Sequence, residues 1–345
     1  VTEPFRVGIS AGLAGLIEPQ LAAIFGPHPR VAHELIEPVQ EFTPAQLQRY
    51  DAVISLFERY TPDSLHGVER LAAIARWGVG YDMVDVPAAT EADVLLAITR
   101  DAVRRPVAEA IVALLLALTR NMLALDRLVR EGRWGDKGRY PGLGIAGRTL
   151  GTVGVGNIGA ELVRLLRPFG LARVLAFDPF VTPAQAAELG VELAPLDVVM
   201  AESDFVCVNC PLTPETRHLV GERQIALMKP TALLINTARG PIVDQGALTR
   251  ALQERRIAGA GLDVFEEEPL PHDHPLTRME HVILAPHALA WTDQLARDNG
   301  LGACRNVLSI LRGEVPEHTV NRDVARRPGF QRKLAALRAR WEEHQ

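Results

Sequence analysis

Cysteine is scarce in this chain, with three in 345 residues, at Cys207, Cys210 and Cys304. Three cannot build a disulfide framework, and they suit a reducing compartment. Cys207 and Cys210 do form a C-x-x-C, but a zinc site needs a second ligand pair at suitable spacing. The sequence offers none, so no metal is expected, and the two read as small apolar residues closing a buried strand. An excess of charge of one sign is also missing: the formal net charge is −5, with both signs interspersed. That argues against nucleic acid or an anionic membrane as the principal partner. No apolar run is long enough to span a bilayer; the strongest candidate, Val107 to Leu118, is too short. Val1 to Ser10 lacks a charged segment followed by an apolar core, so no signal peptide is expected and the expected location is cytoplasmic. There is no short-period repeat and no low-complexity tract.

What is present is a chain long enough for two domains and, at 48% hydrophobic, able to fill two cores. In the first hundred residues, short apolar runs alternate with helix-like stretches. Phe5 to Ile9, Ala52 to Leu56, Ala73 to Ala75 and Val94 to Ile98 read as buried strands, with helices over Pro19 to Phe25 and Pro44 to Arg49. A long helix is expected from Pro106, with Glu109 in its first turn. Val107, Ile111, Leu114, Leu115, Leu118, Met122, Leu125 and Val129 keep a helical period to about Arg130. A polar, glycine-rich arm containing Trp134 and Tyr140 follows, from Gly132 to Gly147. A second α/β series begins with a strand over Thr149 to Val155. Its further strands are expected at 174–177, 205–208, 233–236, 260–264 and 282–284, before a helix over Asp293 to Leu311. The tail from Gln331 places Leu334, Leu337 and Trp341 at helical spacing.

Gly154-Val155-Gly156-Asn157-Ile158-Gly159 is a G-x-G-x-x-G string that ends one of these strands and opens a helix. Gly154 permits the tight turn, Gly156 lets backbone approach a pyrophosphate, and Gly159 lets helix and strand pack closely. An anion can then rest on the N–H groups of a helix N-terminus, those of Asn157 and Ile158 among them. Asp178 lies nineteen residues beyond Gly159, at the end of Val174-Leu175-Ala176-Phe177. A carboxylate there accepts hydrogen bonds from ribose hydroxyls and repels a 2′-phosphate. The following Pro179 and Phe180 bring no arginine to offset that, so the expected cofactor is NAD.

Three later segments each end a strand of the same series: Leu233 to Gly240, Gly261 to Pro269 and Val282 to His287. Ligands of open α/β sheets bind outside the carboxyl ends of the strands, so these segments should converge on one crevice. They carry Arg239, Glu268 and His287. A guanidinium can hold a carboxylate through two bonds and polarise a neighbouring carbonyl. An imidazole can give or take a proton as hydride moves, and a carboxylate beside it fixes the ring and favours its protonated form. On spacing alone Glu266-Glu267-Glu268 reads as a solvated acidic run; position behind the glycine turn is what makes it a candidate.

These pieces, in this order, resemble the D-isomer-specific 2-hydroxyacid dehydrogenase family over nearly the whole chain. The resemblance rests on Gly78-Val79-Gly80-Tyr81-Asp82 with Asp85, Val107-Ala108-Glu109, the glycine turn, and Pro211 to Thr216. It continues through Asn236-Thr237-Ala238-Arg239-Gly240, Asp263-Val264-Phe265 with Glu268-Pro269, and Pro286-His287. It implies two Rossmann-like doubly wound α/β domains, an NAD-binding domain over 104–289 inserted into a discontinuous flavodoxin-like substrate domain of 1–103 and 290–330, and a helical tail over 331–345. It implies reversible reduction of a 2-oxo acid to its D-2-hydroxy acid. Arg239 would bind carboxylate and carbonyl, and His287 would be the acid/base, paired with Glu268. Gly78, Val79 and Gly80 would close on the substrate carboxylate. Cys210, Pro211, Thr237, Ala238 and Asp263 would line the nicotinamide end, Asp263 through the carboxamide. A homodimer through the helix and arm of 106–147 is implied as well.

The chain also departs from relatives in the family. After Ala52 to Leu56 it continues Phe57-Glu58, where phosphoglycerate oxidisers carry a basic group, which demotes phosphoglycerate. The short remainder after the last helix is expected to leave no room for a regulatory domain. After His287 it reads Ala288-Leu289-Ala290-Trp291, which makes Trp291 a candidate wall of the substrate pocket. Formate oxidation on the same frame is disfavoured by Glu268, because formate oxidisers place an amide there. Phosphite oxidation, or an NAD-sensing scaffold or corepressor, remains an alternative on these residues.

Overall fold

The computed structural model describes residues 3–343. They form two compact units, one from the described residues up to Val103 together with those from Thr292 onward, the other from Arg104–Trp291.

In the first unit, β1 (Phe5–Ile9), β2 (Val31–Leu35), β3 (Ala52–Ser55), β4 (Ala73–Arg76) and β5 (Leu95–Ala97) form one sheet. Its order is β2-β1-β3-β4-β5, with every pairing parallel. β3 and β4 are buried along their whole length, as expected of strands covered on both faces. β2 escapes a reading by hydrophobicity because it is an edge strand: in Val-Ala-His-Glu-Leu only Val31 is buried. Helix Asp293–Leu311 lies on β3 and β4 and packs against helix Glu18–Phe25. Helix Pro328–Glu342 belongs to this unit too. Its Arg340 pairs with buried Asp51 at 2.9 Å, and its Trp341 ring stands 5.6 Å from that of Phe5.

The second unit holds a seven-stranded sheet of β6 (Thr149–Val153), β7 (Arg173–Phe177), β8 (Glu192–Leu193), β9 (Phe205–Val208), β10 (Leu233–Asn236), β11 (Gly259–Leu262) and β12 (Val282–Leu284). The order is β12-β11-β10-β9-β6-β7-β8, again all parallel. The strand order reverses at β6, so a crevice opens beyond the carboxyl ends of β6 and β9. Helix Arg104–Thr119 packs on helix Asn157–Leu166 and across β10 and β11.

The long helix differs from expectation in two ways. It begins at Arg104, so Pro106 is its third residue, still within the first turn where a missing N–H costs nothing. Glu109 therefore falls in the second turn, where it pairs with Arg105 at 2.5 Å. The helix also does not run through to Arg130. Asn121 adopts a left-handed conformation (φ 49°), and a second helix, Met122–Arg130, leaves at 58° to the first. Asparagine tolerates that conformation better than most residues. Past the break the buried position is Leu128, whereas Met122 and Val129 are more than half exposed. Among the described residues, no single helix is long and apolar enough to cross a membrane.

Candidate functional site

β6 delivers the chain straight into the glycine turn. Gly154 has φ +92°, and a Cβ there would lie 2.8 Å from the Cys210 nitrogen. A Cβ on Gly159 would lie 2.6 Å from the Gly154 carbonyl oxygen. These two glycines let protein approach protein. Gly156 is different: it is exposed at the N-terminus of helix Asn157–Leu166, with nothing within 4 Å of where its Cβ would be. That open space, beside the N–H groups of a helix start, suits a pyrophosphate.

Asp178 follows β7 and leans over this turn. Its Oδ2 accepts the Val155 N–H and its Oδ1 accepts the Phe180 N–H, both at 2.9 Å. Each oxygen keeps a lone pair for a ribose hydroxyl. Thr237, at the end of β10, has a buried Oγ1 without a hydrogen-bond partner. An orphaned polar atom of that kind in a crevice fits a ligand group. Burial pushes the Cys210 thiol up to about 11, so it meets the crevice as a neutral, weakly polar group. The open cradle, the carboxylate and the orphaned hydroxyl fit a dinucleotide without a 2′-phosphate. Among the described residues, no group of three His, Cys, Asp or Glu side chains could hold a metal ion.

Beyond β10, the buried Asn236 side chain organises the loop that carries Arg239. Its Nδ2 donates to the Arg239 carbonyl (2.9 Å), and its Oδ1 accepts the Ala238 N–H (3.1 Å). The Arg239 Nη1 donates to the Ala238 carbonyl at 2.7 Å. Beyond β11, the Glu268 Oε1 accepts the Phe265 N–H at 3.0 Å. The Glu268 Oε2 stands 2.9 Å from His287 Nδ1, beyond β12. With Nδ1 held by Glu268, proton transfer to a reacting group falls to Nε2.

Burial works to raise the Glu268 carboxyl. The hydrogen bonds from His287 and the Phe265 N–H, with the charges of His287 and Arg239, outweigh it and hold the group below the usual glutamate range. Asp263 shows the opposite balance. It is 4% exposed, and burial raises its carboxyl despite hydrogen bonds from the Ala288 and Leu289 amides. Those bonds, at 3.0 and 3.3 Å, span the residues just after His287, which itself has φ +54°. Asp263 therefore clamps a turn that a non-glycine residue adopts only under constraint.

Arg239, Glu268, His287 and the glycine turn thus all lie at the carboxyl edge of one sheet. In the first unit, Gly78 has φ +144° and its carbonyl accepts the Thr99 N–H, while the Gly80 carbonyl accepts the buried Arg76 Nε at 3.0 Å. Trp291 is 45% exposed, and its N–H donates to the Ala288 carbonyl. The roles of Asn236, of Gly240 and of the pair His218–Glu266 (2.8 Å) were not legible in the sequence. Asn236 and Gly240 sit inside the Arg239 motif, but nothing in their spacing signals what they touch.

A doubly wound sheet with this turn, an acid after the second strand and a His–Glu pair beyond the last strands defines an NAD-dependent dehydrogenase. Residues 112–288 match the model of the D-isomer specific 2-hydroxyacid dehydrogenase NAD binding domain. The chain belongs to the D-isomer specific 2-hydroxyacid dehydrogenase family, and its cofactor is NAD. It is 42% identical over 288 residues to a glyoxylate reductase of Korarchaeum cryptofilum, covering 81% of this chain and 86% of that protein. A D-3-phosphoglycerate dehydrogenase of Methanocaldococcus jannaschii is 39% identical over 264 residues, or 76% of this chain and 50% of that one. Among solved structures, the TT0316 protein from Thermus thermophilus superposes with a TM-score of 0.80 at 31% identity, covering 92% of this chain and all (100%) of that one.

Proposed function

We propose that this enzyme interconverts a 2-oxo acid and its D-2-hydroxy acid, with Arg239 holding the substrate and His287 as general acid/base. The observation that carries this reading is the His287 Nδ1–Glu268 Oε2 bond of 2.9 Å, formed at the same sheet edge as Arg239 and the nucleotide turn. NADH, when bound, supplies the hydride. The guanidinium of Arg239 pairs with the substrate carboxylate and draws electron density from the adjacent carbonyl. His287 Nε2 donates a proton to the carbonyl oxygen in reduction and takes it back in oxidation. Glu268 holds the ring so that Nε2 faces outward, and balances the charge on the protonated imidazole. On the resemblance alone, the backbone of Gly78, Val79 and Gly80 contributes to carboxylate binding; Trp291, where the chain departs from its relatives, is the proposed wall for the substrate side chain.

Glyoxylate is the first substrate to try, because it is the substrate named for several relatives at 37–42% identity. The test is NADH consumption with glyoxylate, hydroxypyruvate, pyruvate and 3-phosphohydroxypyruvate. Turnover of at least one is expected, and His287→Ala should lower kcat by roughly 10²–10⁴-fold with NADH affinity unchanged. Full turnover by that variant would refute the assignment of the acid/base.

We also infer a homodimer formed through the helix and arm of 106–147. Met122, Leu123, Val129 and Trp134 are 56%, 48%, 58% and 66% exposed there. Four large apolar side chains exposed within so short a stretch favour a protein partner over solvent. Light scattering giving a monomer mass at micromolar concentration would rule it out.

A further inference from the structure

Glu266 stands two residues before Glu268, in what reads from the sequence as a solvated acidic run. Its surroundings are more specific than that. The Glu266 Oε1 faces His218 Nε2 at 2.8 Å and accepts the Gln245 N–H at 3.0 Å. The Glu266 N–H in turn donates to the Gln245 Oε1 at 3.0 Å, so residues 245 and 266 are bonded reciprocally. His218 is itself fixed from the other side: its N–H donates to the Pro241 carbonyl at 2.8 Å, and its φ is +52°.

One carboxylate thus ties together three loops at the carboxyl edge of the sheet. His218 lies in the segment that follows β9. Pro241 and Gln245 belong to the segment that follows β10 and carries Arg239. Glu266 belongs to the segment that follows β11 and carries Glu268. Each of these loops leaves a different strand; the first two are also joined by the Val220–Val243 bridge, so what the Glu266 carboxylate adds is a tie from both to the loop that carries Glu268.

We infer that Glu266 and His218 are positioning residues for the reaction, fixing the separation between Arg239 and the Glu268–His287 pair. The proposal rests on the reading that those three residues act on the substrate. A shift of about 1 Å between groups that act on one substrate costs on the order of 10²-fold in rate, so a clamp at this point has kinetic consequences. Neither residue needs to touch substrate or cofactor. The essential property of Glu266 is an acceptor oxygen at this position, not its charge.

The test compares Glu266→Ala, Glu266→Gln and His218→Asn with the unaltered enzyme on whichever 2-oxo acid it turns over. Asparagine is chosen at 218 because it tolerates a positive φ. Glu266→Ala should lower kcat/KM for the 2-oxo acid about 10- to 100-fold, with NADH affinity by fluorescence titration unchanged. Glu266→Gln, which keeps the acceptor, should retain most of the activity. His218→Asn should also lower kcat/KM, and adding it to Glu266→Ala should cost little more, because both changes cut the same link. Amide hydrogen exchange at 239–245 and 265–268 should quicken in Glu266→Ala and not in Glu266→Gln, a readout that needs no turnover. Wild-type kinetics in Glu266→Ala, equal damage in the Ala and Gln variants, or a matching loss of NADH affinity would each overturn the proposal. If the unaltered enzyme reduces no 2-oxo acid, the functional reading fails instead, and hydrogen exchange alone decides whether the clamp exists.

Discussion

Gly240 lies so close to Phe265 that a Cβ on residue 240 would stand 1.9 Å from both the carbon and the oxygen of the Phe265 carbonyl. The residue after Arg239 is therefore pressed against the loop that carries Glu268. Neither partner can yield cheaply, because both are backbone. Gly240→Ala should force the two loops apart, costing about 1–3 kcal/mol or more of stability by overpacking. Its kcat/KM for the 2-oxo acid should fall further than its melting temperature alone accounts for. Normal kinetics in a folded Gly240→Ala enzyme would mean that the spacing of these loops is unimportant to the reaction.

Glu268 predicts a pH dependence of stability. Its carboxyl is depressed on folding, burial notwithstanding, by hydrogen bonds from His287 and the Phe265 N–H. Such a group stabilises the folded state above its unfolded value, and the contribution is lost as pH falls through the folded one. The advantage in Tm of the unaltered protein over Glu268→Gln should be full near pH 6. It should shrink below the ordinary glutamate value of about 4.3. An advantage unchanged between about pH 6 and pH 3 would contradict the assigned cause.

The reading of Asp178 as the ribose acceptor carries a prediction about the choice of nicotinamide cofactor. In Asp178→Ala the Val155 and Phe180 amides lose their acceptor, and the ribose hydroxyls lose theirs. A hydrogen bond to a charged group is worth about 1.5–3 kcal/mol, so kcat/KM with NADH should fall roughly 10- to 100-fold. NADPH should lose much less, since the repulsion of its 2′-phosphate goes as well. A variant with the NADH/NADPH preference of the original would place the discrimination elsewhere.

Lys333, in the first unit, predicts a pH trend of the same sign as that of Glu268 but in an alkaline window. Its ammonium donates to the carbonyls of Val68, Leu71 and Ala92, at 3.4, 2.8 and 3.0 Å. Burial pulls its pKa down to about 8, against the charges of Asp93 and Glu69. Between that value and the ordinary lysine value of about 10.4, the unfolded chain binds more protons than the folded one, so stability rises with pH. The Tm of the unaltered protein should therefore gain on that of Lys333→Met across this window. A difference that stays flat would mean that the three carbonyls keep the amine charged.

How much of this could be read in the sequence depended on how local the cause was. β3, β4, β6, β9 and β10 are short apolar runs buried on both faces, and a pattern of that kind is visible residue by residue. β2 was invisible because an edge strand needs no apolar alternation, and β8 because two residues carry no pattern. The helical period also held over Arg104–Thr119, but the expectation carried it unbroken across a bend, past which Met122 and Val129 are exposed and Leu128 is the buried position. Periodicity records which residues are apolar, whereas the turn at Asn121 is a backbone event with no apolar signature.

The glycine turn with Asp178, and the order of Arg239, Glu268 and His287 behind it, were determined by sequence alone. Each depends on a residue type at a fixed offset from a strand end, and the strands could be found. Only the tertiary structure decided what holds those residues in place: Gly240 against Phe265, Asp263 on the amides after His287, and Glu266 between His218 and Gln245. These contacts join loops from different strands. Their geometry follows from how the strands are ordered and how high each loop stands above the sheet, and no local pattern in the chain encodes that.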